Sequence, residues 1–145
     1  MCARVADIMT TDVVTADKAS SLETVAEQQL RHDVGSVIIT TDGEPYGIIT
    51  ETDIVHAAYK SARALADISA QAVASHPLTT VDPDRSIRFV VKRMQDERIK
   101  KVVVVDSLEV VGIITTQDLI DHYGLLTSEL KDVTQQHRQR RKFMH

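Results

Sequence analysis

The heptad Gly-Ile-Ile-Thr-Glu-Thr-Asp occupies residues 47–53, and Gly-Ile-Ile-Thr-Thr-Gln-Asp occupies residues 112–118, 65 positions later. Outward from these heptads, residues 12–55 align with residues 77–120 without a gap and share 11 identical residues over 44 positions. Composition alone would give only a few matches. Self-similarity at one fixed offset is the signature of a tandem duplication. The sequence therefore predicts two copies of one structural unit.

Each copy has the same order of predicted elements. A short extended segment rich in β-branched residues comes first, followed by a helix that begins after Ser21 or Ser86, both favourable N-cap residues. Two strands follow, and the first of them is an unbroken run, Val37–Ile39 or Val102–Val105, typical of a sheet covered on both sides. A second helix begins near the end of each heptad. The predicted unit is therefore β-α-β-β-α, present twice.

The helices, turns and connection carry finer expectations. In the first helix of each copy, apolar residues recur at the spacing of one buried face: Leu22, Val25, Ala26 and Leu30, and then Ile87, Val90, Val91 and Met94. Asp42-Gly43 is a favourable tight-turn pair, whereas the second copy turns at Asp106-Ser107 without glycine. Alanine-rich residues 57–74 predict a helical connection, in which residues 65–68 echo residues 5–8 at an offset of 60. One copy of about 55 residues buries too little surface to be stable alone, so the two copies are expected to pack face to face.

Composition and charge restrict the class of protein. Of 145 residues, 43% are hydrophobic and 26% are charged, which suits one globular domain. The formal net charge of -4 excludes a polycation that coats nucleic acid. The longest apolar run, Val102–Val105, is far below the roughly 20 residues that span a bilayer, so we expect a cytoplasmic protein without membrane contact. Cys2 is the only cysteine, which excludes internal disulfides.

The duplicated heptads, the Asp-Ile-Met sequence at residues 7–9 and the valine-rich strand before each heptad resemble tandem cystathionine-β-synthase (CBS) motifs, which pair as a Bateman module. The resemblance covers about residues 5–124. It implies an α/β fold in which two β-α-β-β-α motifs pack around a pseudo-twofold axis. It also implies two clefts between the motifs that bind adenosine-containing ligands such as AMP, ADP, ATP or S-adenosylmethionine. We assign residues 1–64 to the first motif and the start of the linker, 65–124 to the second motif, and 125–145 to a basic helical tail.

A nucleotide site at each heptad has a physical basis. If Thr50 ends a strand and Asp53 lies in the first turn of the next helix, the threonine hydroxyl and unpaired backbone N–H groups converge where a phosphate could sit. The Asp53 carboxylate offers two acceptor oxygens suited to a ribose diol. Thr115 and Asp118 repeat the arrangement. Through the resemblance, we assign ribose to Asp53 and Asp118, phosphate to Thr50 and Thr115, and the adenine side to Thr15 and Thr80.

The same pattern has a purely structural interpretation, because Ser/Thr-x-x-acid before an apolar helix is also a capping box. Two complete heptads favour ligand binding in at least one cleft. The copies differ in charge, since Glu51 lies beside the first phosphate position, whereas Lys100 and Lys101 occupy the positions of Gly35-Ser36. We therefore expect the second-copy cleft to accept phosphates better. The alternative is that both lysines form a solvated strand entrance.

These patterns predict a stand-alone regulatory sensor rather than an enzyme. The sequence has no Gly-x-Ser-x-Gly elbow and no Walker-type loop, and Asp118 with His122 gives too few ligands for a metal site. We expect no catalytic cofactor, a homodimer, and an unknown effector protein as partner. The apolar stripe at residues 126, 130 and 133 could pack on a partner helix or on the module itself. The alternative functions are a ligand-free dimeric scaffold and a nucleic-acid-associated protein that uses the basic residues 137–145.

Overall fold

A computed structural model describes residues 3–122 of the chain. The first half contains α1 (Val5–Ile8), β1 (Thr15–Asp17), α2 (Leu22–His32), β2 (Ser36–Thr41), β3 (Glu44–Thr50) and α3 (Glu51–Ser61). The second half contains a 3-10 turn (Leu65–Asp67), α4 (Ala70–Val73), β4 (Thr80–Val81), α5 (Ile87–Glu97), β5 (Lys101–Asp106), β6 (Glu109–Thr115) and α6 (Thr116–His122). The predicted β-α-β-β-α order is confirmed in both repeats.

The strands form two three-stranded sheets of the same topology. In the order β1-β2-β3, β1 is parallel to β2 and β2 is antiparallel to β3, and β4-β5-β6 repeats this order. Even the irregularities match, because the register shifts between Ile39 and Thr40 in one sheet and between Val104 and Val105 in the other. The mixed α/β fold predicted from the duplication is therefore confirmed.

Each repeat is completed by the segment that precedes the other repeat. Thr10, after α1, bridges to Ile113 in β6, and Ser75, after α4, bridges to Ile48 in β3. A shift of 65 positions converts one bridge into the other, which is the relation that a pseudo-twofold axis produces. The preceding segments α1 and α4 are thus equivalent at an offset of 65, and residues 65–68, which echo residues 5–8 in sequence, lie instead in the 3-10 turn and the residue after it.

Two hydrophobic cores lie under the sheets, and each includes residues from both halves of the chain. Val5 of α1 is fully buried in the core of the second repeat, and Ala70 and Ala74 are buried in the core of the first. Full burial of a valine side chain contributes about 1.5–3 kcal/mol relative to exposure. Each core thus contains side chains from the segment that precedes the other repeat. The two repeats together are therefore the folding unit.

The glycine of each heptad has a packing role. A Cβ added to Gly47 would lie 2.8 Å from the Ser75 carbonyl oxygen and 2.9 Å from the Ala74 Cβ. A Cβ added to Gly112 would lie 2.8 Å from the Met9 sulfur and 2.9 Å from the Thr10 carbonyl oxygen. The absence of a side chain lets the leading segment of one repeat approach the central part of the other repeat's last strand.

The local predictions have mixed outcomes. Ser21 and Ser86 are confirmed as N-caps, since their hydroxyls accept hydrogen bonds from the backbone N–H groups three residues later. Leu30 was expected in the core but is 84% exposed. Gln29 is buried in its place, and its side-chain amide donates to the Ile49 carbonyl oxygen at 3.4 Å. This hydrogen bond makes the burial of a polar group tolerable.

The two hairpin turns use one geometry with different residues. Asp42 and Gly43 both have positive φ, 52° and 82°, as a type I′ turn requires, and the predicted tight turn is confirmed. The second turn lies at Ser107–Leu108, with φ of 52° and 70°, one residue later than expected. Leucine rarely adopts this left-handed conformation because its Cβ crowds the backbone.

Several predictions fall outside the described residues 3–122. They concern Cys2, the apolar stripe at residues 126, 130 and 133, and the basic segment 137–145. Within residues 3–122, no helix is long and apolar enough to cross a membrane.

Candidate functional site

Both heptads place a strand end against a helix start. Thr50 is the last residue of β3 and the N-cap of α3: its hydroxyl accepts from the Asp53 backbone N–H at 3.2 Å, and Asp53 Oδ2 accepts from the Thr50 N–H at 2.8 Å. Thr115 and Asp118 form the same pair of bonds at 3.1 and 2.9 Å. The capping box expected as the structural alternative is therefore present at both junctions. It occupies one carboxylate oxygen of each aspartate.

The second carboxylate oxygen distinguishes the two junctions. Asp118 Oδ1 accepts a hydrogen bond from the Thr10 hydroxyl at 3.0 Å, which ties the second heptad to the leading segment of the first repeat. Ser75 occupies the position equivalent to Thr10, but no hydrogen bond joins it to Asp53. Both aspartates are half-buried. Asp118 is thus held by residues from both repeats, whereas Asp53 is held only by its own helix start.

Two clefts lie between the repeats, and they are equivalent at the offset of 65. The first, which we name the Asp118 cleft, has a volume of about 220 Å³ and is lined by Thr10, Asp12, Val13, Val14, Val34, Gly35, Ser36, Ile38, Lys101, Ile113, Thr115 and Asp118. The second, the Thr50 cleft, has a volume of about 370 Å³ and is lined by Ile48, Thr50, Ser75, Pro77, Leu78, Thr79, Ile99, Lys100, Lys101 and Val103. Each cleft has walls from both repeats, so a molecule bound there would contact both.

The Asp118 cleft continues into a neighbouring cavity. That cavity has a volume of about 540 Å³ and shares four lining residues with the cleft; Thr15 and His32 complete its lining. Small-molecule sites in proteins commonly enclose about 300–1,000 Å³. The Thr50 cleft alone and the Asp118 cleft with its extension both fall in this range.

The predicted site residues are only partly brought together. Thr115, Asp118 and Lys101 share the Asp118 cleft, and Thr50, Lys100 and Lys101 share the Thr50 cleft. Asp53 lies at the start of α3 beside Thr50 but lines neither cleft. The expected grouping of Lys100 with the second heptad is wrong, because the start of β5 faces the strand end of the opposite repeat.

The structure does not bring Thr15 and Thr80 into the clefts between the repeats. Thr79 lines the Thr50 cleft, whereas Thr80 lines a separate cavity with Phe89 and Arg93. The walls of the clefts end at Val14 and Thr79, the residues just before β1 and β4 begin. Thr15 follows Val14 in the same way and reaches only the cavity that adjoins the Asp118 cleft.

Sequence reasoning missed the contribution of the leading segments. Thr10 and Asp12 line the Asp118 cleft, and Ser75 and Pro77 take the equivalent places in the Thr50 cleft. The alignment already pairs Asp12 with Pro77, and its extension toward the N-terminus would have paired Thr10 with Ser75. Their place in the opposite repeat's cleft follows from the exchange of leading segments, which the sequence pattern does not show.

A network of charged side chains lies behind the Thr50 cleft. Glu97 accepts from Arg93 Nε at 2.8 Å and from the Thr79 hydroxyl at 3.0 Å, and Arg93 Nη1 donates to the Thr80 carbonyl oxygen at 3.1 Å. The hydrogen bond from Arg93, followed by that from Thr79, lowers the pKa of the Glu97 carboxyl. Glu97 therefore stays charged and neutralises Arg93. Among residues 3–122, no group of three or more His, Cys, Asp or Glu side chains could hold a metal ion.

Known proteins share this architecture. Protein MK0525 of Methanopyrus kandleri, itself uncharacterized, is 29% identical over 130 residues, which cover 88% of this chain and 66% of that protein, just under two thirds of its length. Hypoxic response protein 1 of Mycobacterium tuberculosis is 26% identical over 117 residues, 80% of this chain and 82% of that protein.

One similar solved structure is that of the CBS domain pair of protein MJ0100 in complex with 5′-methylthioadenosine and S-adenosyl-L-methionine. It superposes on this chain with a TM-score of 0.73 at 26% sequence identity, and the match covers 86% of this chain and 98% of that one. The profile of the CBS domain matches residues 5–60 and 68–124. These ranges include both heptads and both sheets. The chain therefore belongs to the CBS domain family and carries two CBS domains in tandem.

Proposed function

We propose that this protein is a regulatory module that binds adenosine-containing ligands, among them AMP, ADP, ATP and S-adenosylmethionine, in the clefts between its two CBS domains. The observation that carries the proposal is the pair of clefts, each with a threonine hydroxyl at a helix start and walls from both domains. The related domain pair of MJ0100 holds two adenosine derivatives, which supports the same ligand class here.

The clefts suggest how a ligand would regulate. A ligand in the Asp118 cleft contacts the leading segment of the first domain and the heptad of the second, so its binding depends on how the domains are packed. A ligand shifts an equilibrium between two arrangements only through its differential affinity for them, and a tenfold preference corresponds to about 1.4 kcal/mol. An effector protein would then recognise the favoured arrangement. No catalytic step is part of this proposal.

Calorimetric titration tests the proposal directly. We expect at least one of AMP, ADP, ATP and S-adenosylmethionine to bind and raise the unfolding temperature, because a ligand that binds only the folded state stabilises it. For a ligand in the Asp118 cleft, the Asp118→Ala variant should weaken binding by about 1.5–3 kcal/mol, through loss of a charged hydrogen-bond acceptor.

Asp7→Ala is the matched control for Asp118→Ala. Asp7 Oδ2 accepts from the Arg4 N–H at 2.9 Å in the same kind of helix-start contact, but Asp7 lines neither cleft. This variant should bind ligand normally. If Asp118→Ala binds ligand in the Asp118 cleft like wild type and only melts earlier, Asp118 is a capping residue and the ribose assignment fails. If no adenosine compound binds the wild type, the proposal fails as a whole.

The second candidate is an interaction scaffold that assembles as a dimer, which a specific surface favours. Leu30 on α2 and Val55 and Tyr59 on α3 are 84%, 66% and 88% exposed. Exposed apolar side chains on neighbouring helices commonly mark a protein interface. We propose that a second copy covers this face. Light scattering should show a dimer at micromolar concentration, and Tyr59→Glu should shift it to a monomer; a monomeric wild type would exclude the dimer.

A further inference from the structure

We infer that the two clefts separate ligands by charge: the Thr50 cleft takes the phosphate-bearing ligand, and the Asp118 cleft takes an uncharged or cationic one. The inference rests on the proposed function, since it assigns ligand classes to the same clefts. It reverses the expectation from the sequence, which placed phosphate preference at the second heptad.

The charged side chains that line the clefts differ in sign. The Asp118 cleft has two carboxylates, Asp12 and Asp118, and one ammonium group, Lys101. The Thr50 cleft has two ammonium groups, Lys100 and Lys101, and no carboxylate in its lining. Because Lys101 lines both clefts, it does not distinguish them. The difference depends on Lys100 in one cleft and the two carboxylates in the other.

Three equivalent positions change charge in the same direction between the clefts. Asp12 corresponds to Pro77, and Gly35 corresponds to Lys100. Glu51 corresponds to Thr116. The Glu51 N–H donates to the carbonyl oxygen of Gly35 at 3.2 Å, and the Thr116 N–H donates to the carbonyl oxygen of Lys100 at 3.0 Å. Every one of these changes makes the Thr50 cleft more positive.

Glu51 adds to the negative side of the Asp118 cleft. Its Oε1 atom lies 4.0 Å from the position that a Cβ on Gly35 would occupy, and Gly35 lines that cleft. Although Glu51 follows Thr50 in sequence, its carboxylate therefore lies beside the opposite cleft. A carboxylate repels a nearby phosphate group and so weakens its binding. The same carboxylate attracts a cation such as the sulfonium group of S-adenosylmethionine and strengthens its binding.

Two acids lie near the Thr50 cleft without lining it. Asp53 accepts a hydrogen bond from the Thr50 N–H in the capping box. Glu97 accepts a hydrogen bond from the hydroxyl of Thr79, which lines the cleft. Glu97 is paired with Arg93, so the pair adds no net charge. Counting Asp53 on one side and Glu51 on the other, the Thr50 cleft remains net positive and the Asp118 cleft remains net negative.

The experiment combines three probes of similar shape and different charge: AMP, adenosine and S-adenosylmethionine. Backbone amide resonances of Ile99 and Gly35 report the clefts separately, since Ile99 lines only the Thr50 cleft and Gly35 only the Asp118 cleft. We expect AMP to shift the Ile99 resonance at the lower concentration, and S-adenosylmethionine to shift the Gly35 resonance. Protein saturated with AMP should still bind S-adenosylmethionine, because the clefts are separate.

Neutral isosteres test the charges themselves. Lys100→Gln should weaken AMP binding about twofold to fivefold at low salt and leave adenosine binding unchanged, and Asp12→Asn should weaken S-adenosylmethionine binding to a similar extent. Both differences should shrink in 0.5 M salt, where exposed charges are screened. The matched controls are Lys92→Gln and Asp96→Asn, which remove exposed charges on α5 that line neither cleft. Unfolding curves establish that each variant is folded.

The outcomes separate this inference from the proposed function. If all three probes bind but AMP and S-adenosylmethionine compete for one cleft, or if Lys100→Gln and Asp12→Asn behave like their controls, the charge assignment is wrong and the adenosine-binding function stands. If none of the three probes binds the wild type, both are overturned.

Discussion

The strand-to-helix junctions of the two domains have the same local hydrogen bonds and different long-range partners. Thr50 with Asp53 and Thr115 with Asp118 form the same reciprocal pair, to within about 0.1 Å. Of the two aspartates, only Asp118 also accepts a hydrogen bond from the hydroxyl of Thr10. A duplicated heptad thus reproduces its own helix cap, but a residue more than a hundred positions away decides what else the carboxylate holds.

The close approach of the leading segments allows the strongest test of this comparison. Gly47→Ala places a methyl group against the Ser75 carbonyl oxygen and the Ala74 Cβ, neither of which is the end of a flexible side chain. Overpacking of this kind costs about 1–3 kcal/mol, and we expect the upper end for Gly47→Ala. Gly112→Ala should cost a similar amount, because its methyl group would lie 2.9 Å from the Thr10 carbonyl oxygen, and movement of the Met9 sulfur relieves only part of the overlap. Urea unfolding measures both.

Gly35→Ala is the control for both glycine substitutions. The nearest heavy atom to a Cβ added at Gly35 is 4.0 Å away. The urea concentration at the midpoint of unfolding should therefore stay near that of wild type. Equal losses at positions 35, 47 and 112 would show that contact between the domains does not explain the glycines.

The aspartates should differ by their long-range bond. Loss of either cap costs about 1 kcal/mol, and Asp118→Ala also loses the bond from Thr10, worth about 0.5–1.5 kcal/mol. A double-mutant cycle between Thr10→Val and Asp118→Ala should therefore show coupling of that size in chemical denaturation. The cycle between Ser75→Ala and Asp53→Ala should show none, and equal coupling in both cycles would contradict the difference between the junctions.

The hairpin turns predict a gain rather than a loss. Leu108 has φ of 70° and is 67% exposed, so its side chain contributes little packing to offset its strained backbone. Leu108→Gly should raise stability by about 0.5–1 kcal/mol, the left-handed penalty less the added freedom of the unfolded chain. Gly43→Leu, the reciprocal change, should lower it. A calorimetric melting temperature that falls for Leu108→Gly would mean that Leu108 packs against another part of the protein.

Substitution of Glu97 should have the smallest effect on stability, and this effect should depend on pH. Because its bond from Arg93 lowers the pKa of its carboxyl below the usual 4.5, the ion pair stabilises the fold above that pH and is lost as the pH falls below it. Glu97→Gln should melt slightly earlier than wild type at pH 7, and the difference should shrink as the pH is lowered below 4.5. The difference at pH 7 should also shrink in an Arg93→Gln background. A difference that does not change as the pH is lowered would rule out the charge as its cause.

Local features of the fold were predictable because short-range sequence decides them. The N-caps at Ser21 and Ser86, the turn at Asp42-Gly43 and the buried runs of β2 and β5 each depend on residues within a few positions of one another. Leu30 was misplaced because the helical spacing admits either Gln29 or Leu30, and the hydrogen bond from Gln29 to the Ile49 carbonyl oxygen favours burial of the polar residue.

The sequence by itself determined the duplication, the β-α-β-β-α order and the capping pairs at Thr50 and Thr115, since hydrophobic periodicity and caps act along the chain. Only the tertiary structure decided that leading segments are exchanged between the domains, that Lys100 faces the Thr50 cleft, and that Thr80 faces away from it. The physical reason is that a cleft forms from segments far apart in sequence, and the residues at its wall depend on which repeat packs opposite.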